Sequence, residues 1–277
     1  MSNLRIYLID VGWGDSILLE TKNDQDEYIF GLIDSNDTTY NRSSYIFIKR
    51  HLEKRLISED LDHRFEWIML SHEHADHAQG LKGIMKEFGT RQFWYPKALT
   101  FSTHAQLIRY ANHPRSKVQH HEAVNCDKHF PEFGGWSMRV LWPRYNQIDQ
   151  DNPNNNSIVL LLERGNTSIL LTGDAEEEVW NQIANQIPGN TKFFKIPHHG
   201  SVNGTFDPNG GTPWLDACPV TAHLAMSTHL RPFHHPHQEV IDELDQRNYV
   251  YTRTDNHYHI CFESDGNGND SISYHKS

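Results

Sequence analysis

The chain alternates short apolar runs with polar turns, and the runs are rich in the branched and aromatic residues that favour strands. Residues 4–9, 17–19 and 28–33 read as three strands; the first two flank the turn Val11-Gly12-Trp13-Gly14-Asp15. The third strand ends at Asp34-Ser35-Asn36-Asp37, which is loop chemistry. Over 44–57 the spacing changes, and Tyr45, Ile46, Ile48, Leu52 and Leu56 fall close to a helical period. Residues 65–70 return to a buried-strand pattern, after which Leu81, Ile84, Met85 and Phe88 again predict a helix.

The second half repeats this style. Strands are predicted over 136–142, 158–162, 169–171, 193–196 and 224–226, and helices over 176–187 and around 240–244. Residues 249–252 and 258–262 read as a hairpin around Asp255-Asn256, and the Gly/Asn/Asp/Ser tail from Ser264 as a frayed end. Two β-rich halves, about 1–98 and 132–263, predict two sheets face to face with helices outside, in one domain spanning 1–277. Between them, 99–131 is polar and without a period, and reads as an insertion or linker.

The segment between the 65–70 strand and the helix after it is His72-Glu73-His74-Ala75-Asp76-His77. It lies in a strand-to-helix loop, where α/β folds place their chemistry. His72 and His74 can share one metal ion, and Asp76 and His77 can point to a second. A solvated polar loop is the plainer alternative, but four ligand-type side chains in six positions behind an apolar strand argue for metal.

Composition narrows the setting. Hydrophobic residues make up 37% and aromatics 11% of 277 residues, enough for a packed core rather than disorder. No apolar run nears the roughly 20 residues of a membrane span, and no secretory signal is evident, so no membrane is expected. The three cysteines, Cys126, Cys218 and Cys261, are scattered, which fits a cytoplasmic protein without disulfides and argues against a thiolate zinc site. The formal charge of −11 disfavours polyanions on average, although a local basic patch overrides a mean. Twenty histidines are the unusual feature.

His72-x-His74-x-Asp76-His77 resembles the signature of the metallo-β-lactamase superfamily, and further motifs follow in its order. They are Asp34 after a strand, Thr172-Gly173-Asp174 after a strand, and His198-His199-Gly200-Ser201. With Val11-Gly12-Trp13-Gly14-Asp15-Ser16, Asn156-Ser157, His235-Pro236 and Tyr251-Thr252-Arg253-Thr254-Asp255, the chain is similar to the soluble domain of ComEC-type competence proteins and to bacterial phosphorylcholine esterases.

The resemblance implies a four-layer αββα sandwich of the α/β (α+β) class. It also implies two divalent metal ions, zinc or manganese, held by His72, His74, Asp76, His77, Asp174 and His199. Asp174 would bridge the ions, Asp34 would brace the site, and Asn156 would stand behind it or face substrate. The last ligand stays open between His199 and His235; His199 is favoured, with His198 facing substrate and His235 in reserve. Where the superfamily usually keeps a ligand His before the Gly-Asp strand, this chain has Asn154-Asn155-Asn156-Ser157.

The chemistry implied is metal-dependent hydrolysis by a dinuclear metal-bound hydroxide, with Asp76 and His198 as catalytic residues. The expected substrate is a small-molecule or nucleic-acid phosphodiester. Hydrolysis of a carbon ester, lactone or β-lactam is the second reading, and a binding or regulatory module with a degenerate metal site the third. Oligomeric state is not legible. Glu73 reads as a solvated carboxylate, Asp15 as a turn cap, and Trp13 equally as cover for the site or as packing. His113, Arg115, Lys117, His120 and His121 read as a solvated loop, and Met69, Met85 and Met226 as core.

Overall fold

A computed structural model describes residues 3–55, 62–97 and 102–275. Leu56 and Ile57, the end of the first predicted helix, lie outside the described residues, as do residues 99–101 of the predicted linker.

Two sheets form the centre. In the first, strands run in the order β14 (Asp270–His275), β13 (His259–Ser264), β1 (Leu4–Leu8), β2 (Ile17–Lys22), β3 (Tyr28–Ile33), β4 (Phe65–Met69), β5 (Thr90–Tyr95), β6 (Val118–Ala123). Pairing is antiparallel from β14 to β3 and parallel from β3 to β6. The second sheet has the order β12 (Val250–Arg253), β11 (His223–Met226), β10 (Thr191–Lys195), β9 (Thr167–Leu171), β8 (Val159–Arg164), β7 (Ser137–Trp142). It is parallel from β12 to β9 and antiparallel through β8 and β7.

Side-chain alternation sorts the core into three layers. Ile6, Leu8, Trp67 and Met69 of the first sheet meet Leu160, Leu162, Ile169 and Phe193 of the second between the sheets. On the outer face of the first sheet, Leu18, Leu32 and Ile68 pack under α1 (Ser43–Arg55), α3 (Leu81–Phe88) and α4 (Ser102–Ala111). On the outer face of the second, Leu161, Leu170 and Phe194 pack under α5 (Glu177–Ile183), α6 (Pro213–Ala217) and α7 (Gln238–Gln246). This is the expected four-layer αββα sandwich. Met69, Met85 and Met226 are core, as read.

Four expectations are corrected. The segment taken for a linker contributes α4 and edge strand β6, which pairs in parallel with β5. The expected hairpin of 249–252 and 258–262 does not form. β12 joins the second sheet, the turn α8 (Thr254–His257) follows, Tyr258 takes a left-handed φ of 62°, and β13 pairs with β1 in the first sheet. The two sheets therefore do not divide the chain at 1–98 and 132–263. The tail is not frayed: β14 pairs along its full length with β13.

Candidate metal centre

The parallel strands of both sheets end at one edge of the sandwich, and the predicted ligands sit on the loops that leave them. After β4, Ser71 leads into His72-Glu73-His74, and one helical turn, α2 (Ala75–Ala78), carries Asp76 and His77. Asp174 follows β9, and His199 follows β10.

Asp174 stands at the middle. Its Oδ2 is 3.2 Å from His77 Nε2, 3.2 Å from His199 Nε2 and 3.9 Å from His72 Nε2. Asp76 Oδ2 lies 3.6 Å from both His77 Nε2 and His199 Nε2. One donor atom from each of Asp76, His77, Asp174 and His199 falls within 4.8 Å of the others. His72 Nε2, the third histidine nitrogen about Asp174 Oδ2, is 3.1 Å from His74 Nδ1. Two donor groups thus share one carboxylate. His72, His77, Asp174 and His199 are buried, while Asp76 is partly open to solvent.

The loops are held so that the ring nitrogens face inward. Asp34, in a left-handed conformation with φ 59°, accepts hydrogen bonds from Ser71 N (2.7 Å) and Ser71 Oγ (2.5 Å) and pairs with His77 Nδ1 at 2.7 Å. His77 Nε2 is then left for the shared centre, an arrangement that fixes tautomer and ring angle. His199 Nδ1 donates to Ser227 O at 2.8 Å, with the same effect on its Nε2. The Asp174 backbone N–H donates to Ser157 Oγ. Gly14, at φ 91°, lies so close to the Asp76 carbonyl that a Cβ there would sit 2.4 Å from it, so the first turn can only approach the site with glycine. His198 and His199 are both left-handed, at φ 44° and 55°, a costly backbone that aims two successive rings differently.

Electrostatics point the same way. Burial opposes a charge on His77, yet the carboxylates of Asp174, Asp76 and Asp34 raise its pKa well above the ordinary value. For His199 burial is likewise overcome by Asp174 and Asp76, which bring it up to about 10. Burial opposes ionisation of Asp174, but the neighbouring His199 and His77 hold its pKa well below the carboxylate range. His72 is pushed down by burial and by His77, and His74 by burial. The carboxylates thus draw positive charge to His77 and His199, while burial keeps it off His72 and His74.

Asp174 Oδ1 and His199 Nε2 are both buried without a hydrogen bond of good geometry. Unsatisfied buried polar atoms are costly, and imidazole plus carboxylate is a donor set suited to zinc or manganese. The residues present fit the metal ions that the fold implies.

Other predicted residues fall differently. His198 stands at the rim with its Nδ1 2.8 Å from Glu176 Oε1. His235 is buried beside it, ring centroids 5.5 Å from His198 and 6.2 Å from His199, and it belongs to neither donor group. Asn156 ends the short turn Pro153–Asn156 before β8. Its amide is spent on Asp149, donating to Asp149 O and accepting from Asp149 N, so it secures a loop. Its neighbours act instead: Asn152 and Asn154 donate to the two oxygens of Glu176, which holds His198. Glu73 is buried rather than solvated, and its carbonyl accepts from Thr103 Oγ1 of α4. Of the residues read as a solvated loop, His113 and Arg115 are exposed, Lys117 is part-buried, and His120 and His121 stand instead in strand β6, His121 part-buried.

Two residues escaped the sequence reading. Asp15 is fully buried, not a turn cap, and its Oδ2 lies 2.8 Å from Lys195 Nζ, itself fully buried. A lysine inside the apolar strand Phe193-Phe194-Lys195-Ile196 was the available signal, since a buried lysine needs a partner.

Paired His/Asp donor groups on the strand ends of an αββα sandwich make this a metal-dependent hydrolase. The Metallo-beta-lactamase superfamily matches residues 62–248, more than half of the chain, and the chain belongs to it. It is 26% identical over 259 residues to ComE operon protein 3 of Bacillus subtilis, covering 90% of this chain and 32% of that protein. It is 26% identical over 179 residues to Recombination protein 2 of Haemophilus influenzae, covering 65% of this chain and 20% of that one. The chain therefore spans about a third or less of the length of these relatives. Among solved structures it resembles the metallo-beta-lactamase fold protein YhfI of Bacillus subtilis, with a TM-score of 0.55 at 10% identity, covering 95% of this chain and all of that one. No helix among the described residues is long and apolar enough to cross a membrane.

Proposed function

We propose that the protein is a phosphodiesterase that uses two divalent metal ions. The observation that carries this reading is the shared carboxylate: Asp174 Oδ2 lies 3.2 Å from both His77 and His199 and 3.9 Å from His72. A pair of divalent ions would supply Lewis-acid polarisation and an activated water, and such pairs suit in-line displacement at phosphorus because they clamp both the entering and the leaving oxygen.

The chain's own residues divide the remaining work. His72 and His74 would hold one ion, Asp76, His77 and His199 the other, with Asp174 between. Asp34 and Ser227 fix the tautomers of His77 and His199. His198, at the rim and steadied by Glu176, is placed to contact a substrate oxygen and to give a proton to the departing alkoxide. Its pairing with Glu176, whose pKa burial raises but the His198 contact brings below the ordinary value, holds the ring in place at the rim. Similarity to a relative named for recombination agrees with a nucleic-acid phosphodiester, and the overall charge of −11 agrees better with a small or terminal segment than with a long duplex track.

Turnover of bis(p-nitrophenyl) phosphate, p-nitrophenyl acetate and a chromogenic β-lactam by one manganese- or zinc-loaded preparation tests this. Hydrolysis of the diester is expected. Hydrolysis of the acyl substrates alone would replace the reading with acyl chemistry.

A further inference from the structure

Beside the metal centre lies an exposed stretch that the mechanism does not use. His229, Leu230, Arg231, Pro232, Phe233 and His234 are all exposed, and Phe233 shows 56% of its surface. The stretch is pinned rather than loose: His234 N donates to Leu230 O at 2.8 Å, and three residues on His237 N donates to Gly200 O at 3.0 Å. Phe233 meets Trp13 edge-on, centroids 5.3 Å apart. Trp13 is itself fixed, because its carbonyl accepts from Asn36 Nδ2 and the neighbouring Val11 carbonyl from Asn41 Nδ2. From Phe233 the rings continue inward, to His235 at 6.1 Å and from there to His198 at 5.5 Å. An aromatic path thus runs from solvent to the rim of the donor groups.

A large exposed aromatic ring costs hydration unless something covers it, and here it is backed by a second ring and flanked by an exposed guanidinium, Arg231. A flat ring carrying a negative charge is the ligand that this combination fits, since rings stack on rings and arginine holds anions. A wholly apolar partner would leave the exposed Arg231 without a counter-charge.

We propose that Phe233, backed edge-on by Trp13, forms a stacking ledge for an unpaired nucleobase attached to the phosphodiester at the metal centre, with Arg231 meeting a neighbouring phosphate. This rests on the phosphodiester reading above. The ledge takes one base at the end of a single strand, or the base of a nucleotide. It excludes the paired interior of a duplex, whose bases already stack on each other.

Isothermal titration of the metal-loaded protein compares thymidine 5′-monophosphate with 2-deoxyribose 5-phosphate, which has the same charge and no base. The nucleotide is expected to bind at least about fivefold more tightly, the lower range of base–aromatic stacking. Phe233→Ala is expected to bring the two ligands within about twofold, and Phe233→Tyr to restore the difference. Equal binding of both ligands by the wild type overturns the ledge, as does a preference that survives Phe233→Ala. A second arm separates the sources: a thymidine hexamer is expected to compete and a blunt hairpin duplex of equal charge is not, and equal competition by the duplex overturns the requirement for an unpaired base. None of these readings needs turnover. A base preference without hydrolysis of any diester would remove the phosphodiesterase reading and keep the ledge, and hydrolysis without a base preference would do the reverse.

Discussion

Lys195 Nζ lies 2.8 Å from Asp15 Oδ2 and 3.8 Å from Asp174 Oδ1, and all three side chains are buried. The ammonium also donates to Gly173 O at 3.0 Å, so it binds the loop that carries Asp174. Asp15 in turn sits 3.9 Å from His77 Nδ1 and 3.8 Å from His199 Nδ1. A fixed cation therefore closes the inner side of the carboxylate cluster.

Removing that cation should strand Asp15. Lys195→Met is expected to lower stability by about 3–5 kcal/mol, the usual result when one partner of a buried pair is lost. The double variant Lys195→Met with Asp15→Asn should recover most of it. Chemical denaturation of chelated protein measures both, and an equally unstable double variant would mean that the lysine acts through packing alone.

The shared position of Asp174 makes it the most sensitive ligand. Asp174→Ala is expected to lose bound metal by elemental analysis and to lower diester turnover at least about 10²-fold, with the circular dichroism spectrum kept. Asp76→Ala should also lose activity but retain the ion held by His72 and His74. Full metal content in Asp174→Ala would show that the carboxylate is not a ligand.

The two consecutive histidines should separate cleanly. His199→Ala removes a donor of the buried group and is expected to reduce metal content. His198→Ala should leave metal content near normal while lowering kcat, because its Nδ1 is engaged by Glu176 and its ring lies at the rim. Glu176→Gln, which removes the carboxylate that holds the ring, should likewise lower kcat while metal content stays near normal. The reverse behaviour of the two histidine variants would exchange their roles.

Acidity gives a signed test in the metal-free protein. His199 is held at about 10 by Asp174 and Asp76 despite its burial, above the ordinary histidine value. A raised folded pKa stabilises fully below about 6.5 and loses that contribution as pH climbs towards 10. Melting temperature of chelated protein should therefore fall between pH 6.5 and pH 9.5. Ion binding at neutral pH must also expel this proton, visible as a buffer-dependent enthalpy in titration calorimetry. A melting temperature that rises over that interval would contradict a charged His199.

How much of this was legible in the sequence depends on how local each signal was. The His72-to-His77 run declared itself because its ligands are contiguous, and Asp34 and Asp174 because each ends an apolar strand. β6 was missed because four of its six residues, from Gln119 to Glu122, are polar: an edge strand held to β5 mainly through its backbone carries no apolar alternation. β14 was taken for a frayed tail for the same reason, its side chains being almost all exposed. The supposed hairpin failed because a left-handed Tyr258 sends the chain across to the other sheet, which local turn chemistry does not reveal. Lys195 and Asp15 form one feature only in three dimensions, and no spacing rule connects them. The asparagine run divides its amides between Glu176 and the Asp149 loop, and no spacing in the sequence shows which member serves which.

The origin of the ligands has a mechanical consequence. His77 belongs to the loops of the first sheet and Asp174, 97 residues later, to those of the second. An ion gripped by both would act as a rivet through the seam between the sheets, closing a long span of chain much as a covalent staple does. Unfolding of the loaded protein would then wait on escape of the ion, so its lifetime at high temperature would track metal dissociation more closely than the strength of the apolar core. Chelator concentration, more than denaturant, would set how fast the two sheets part.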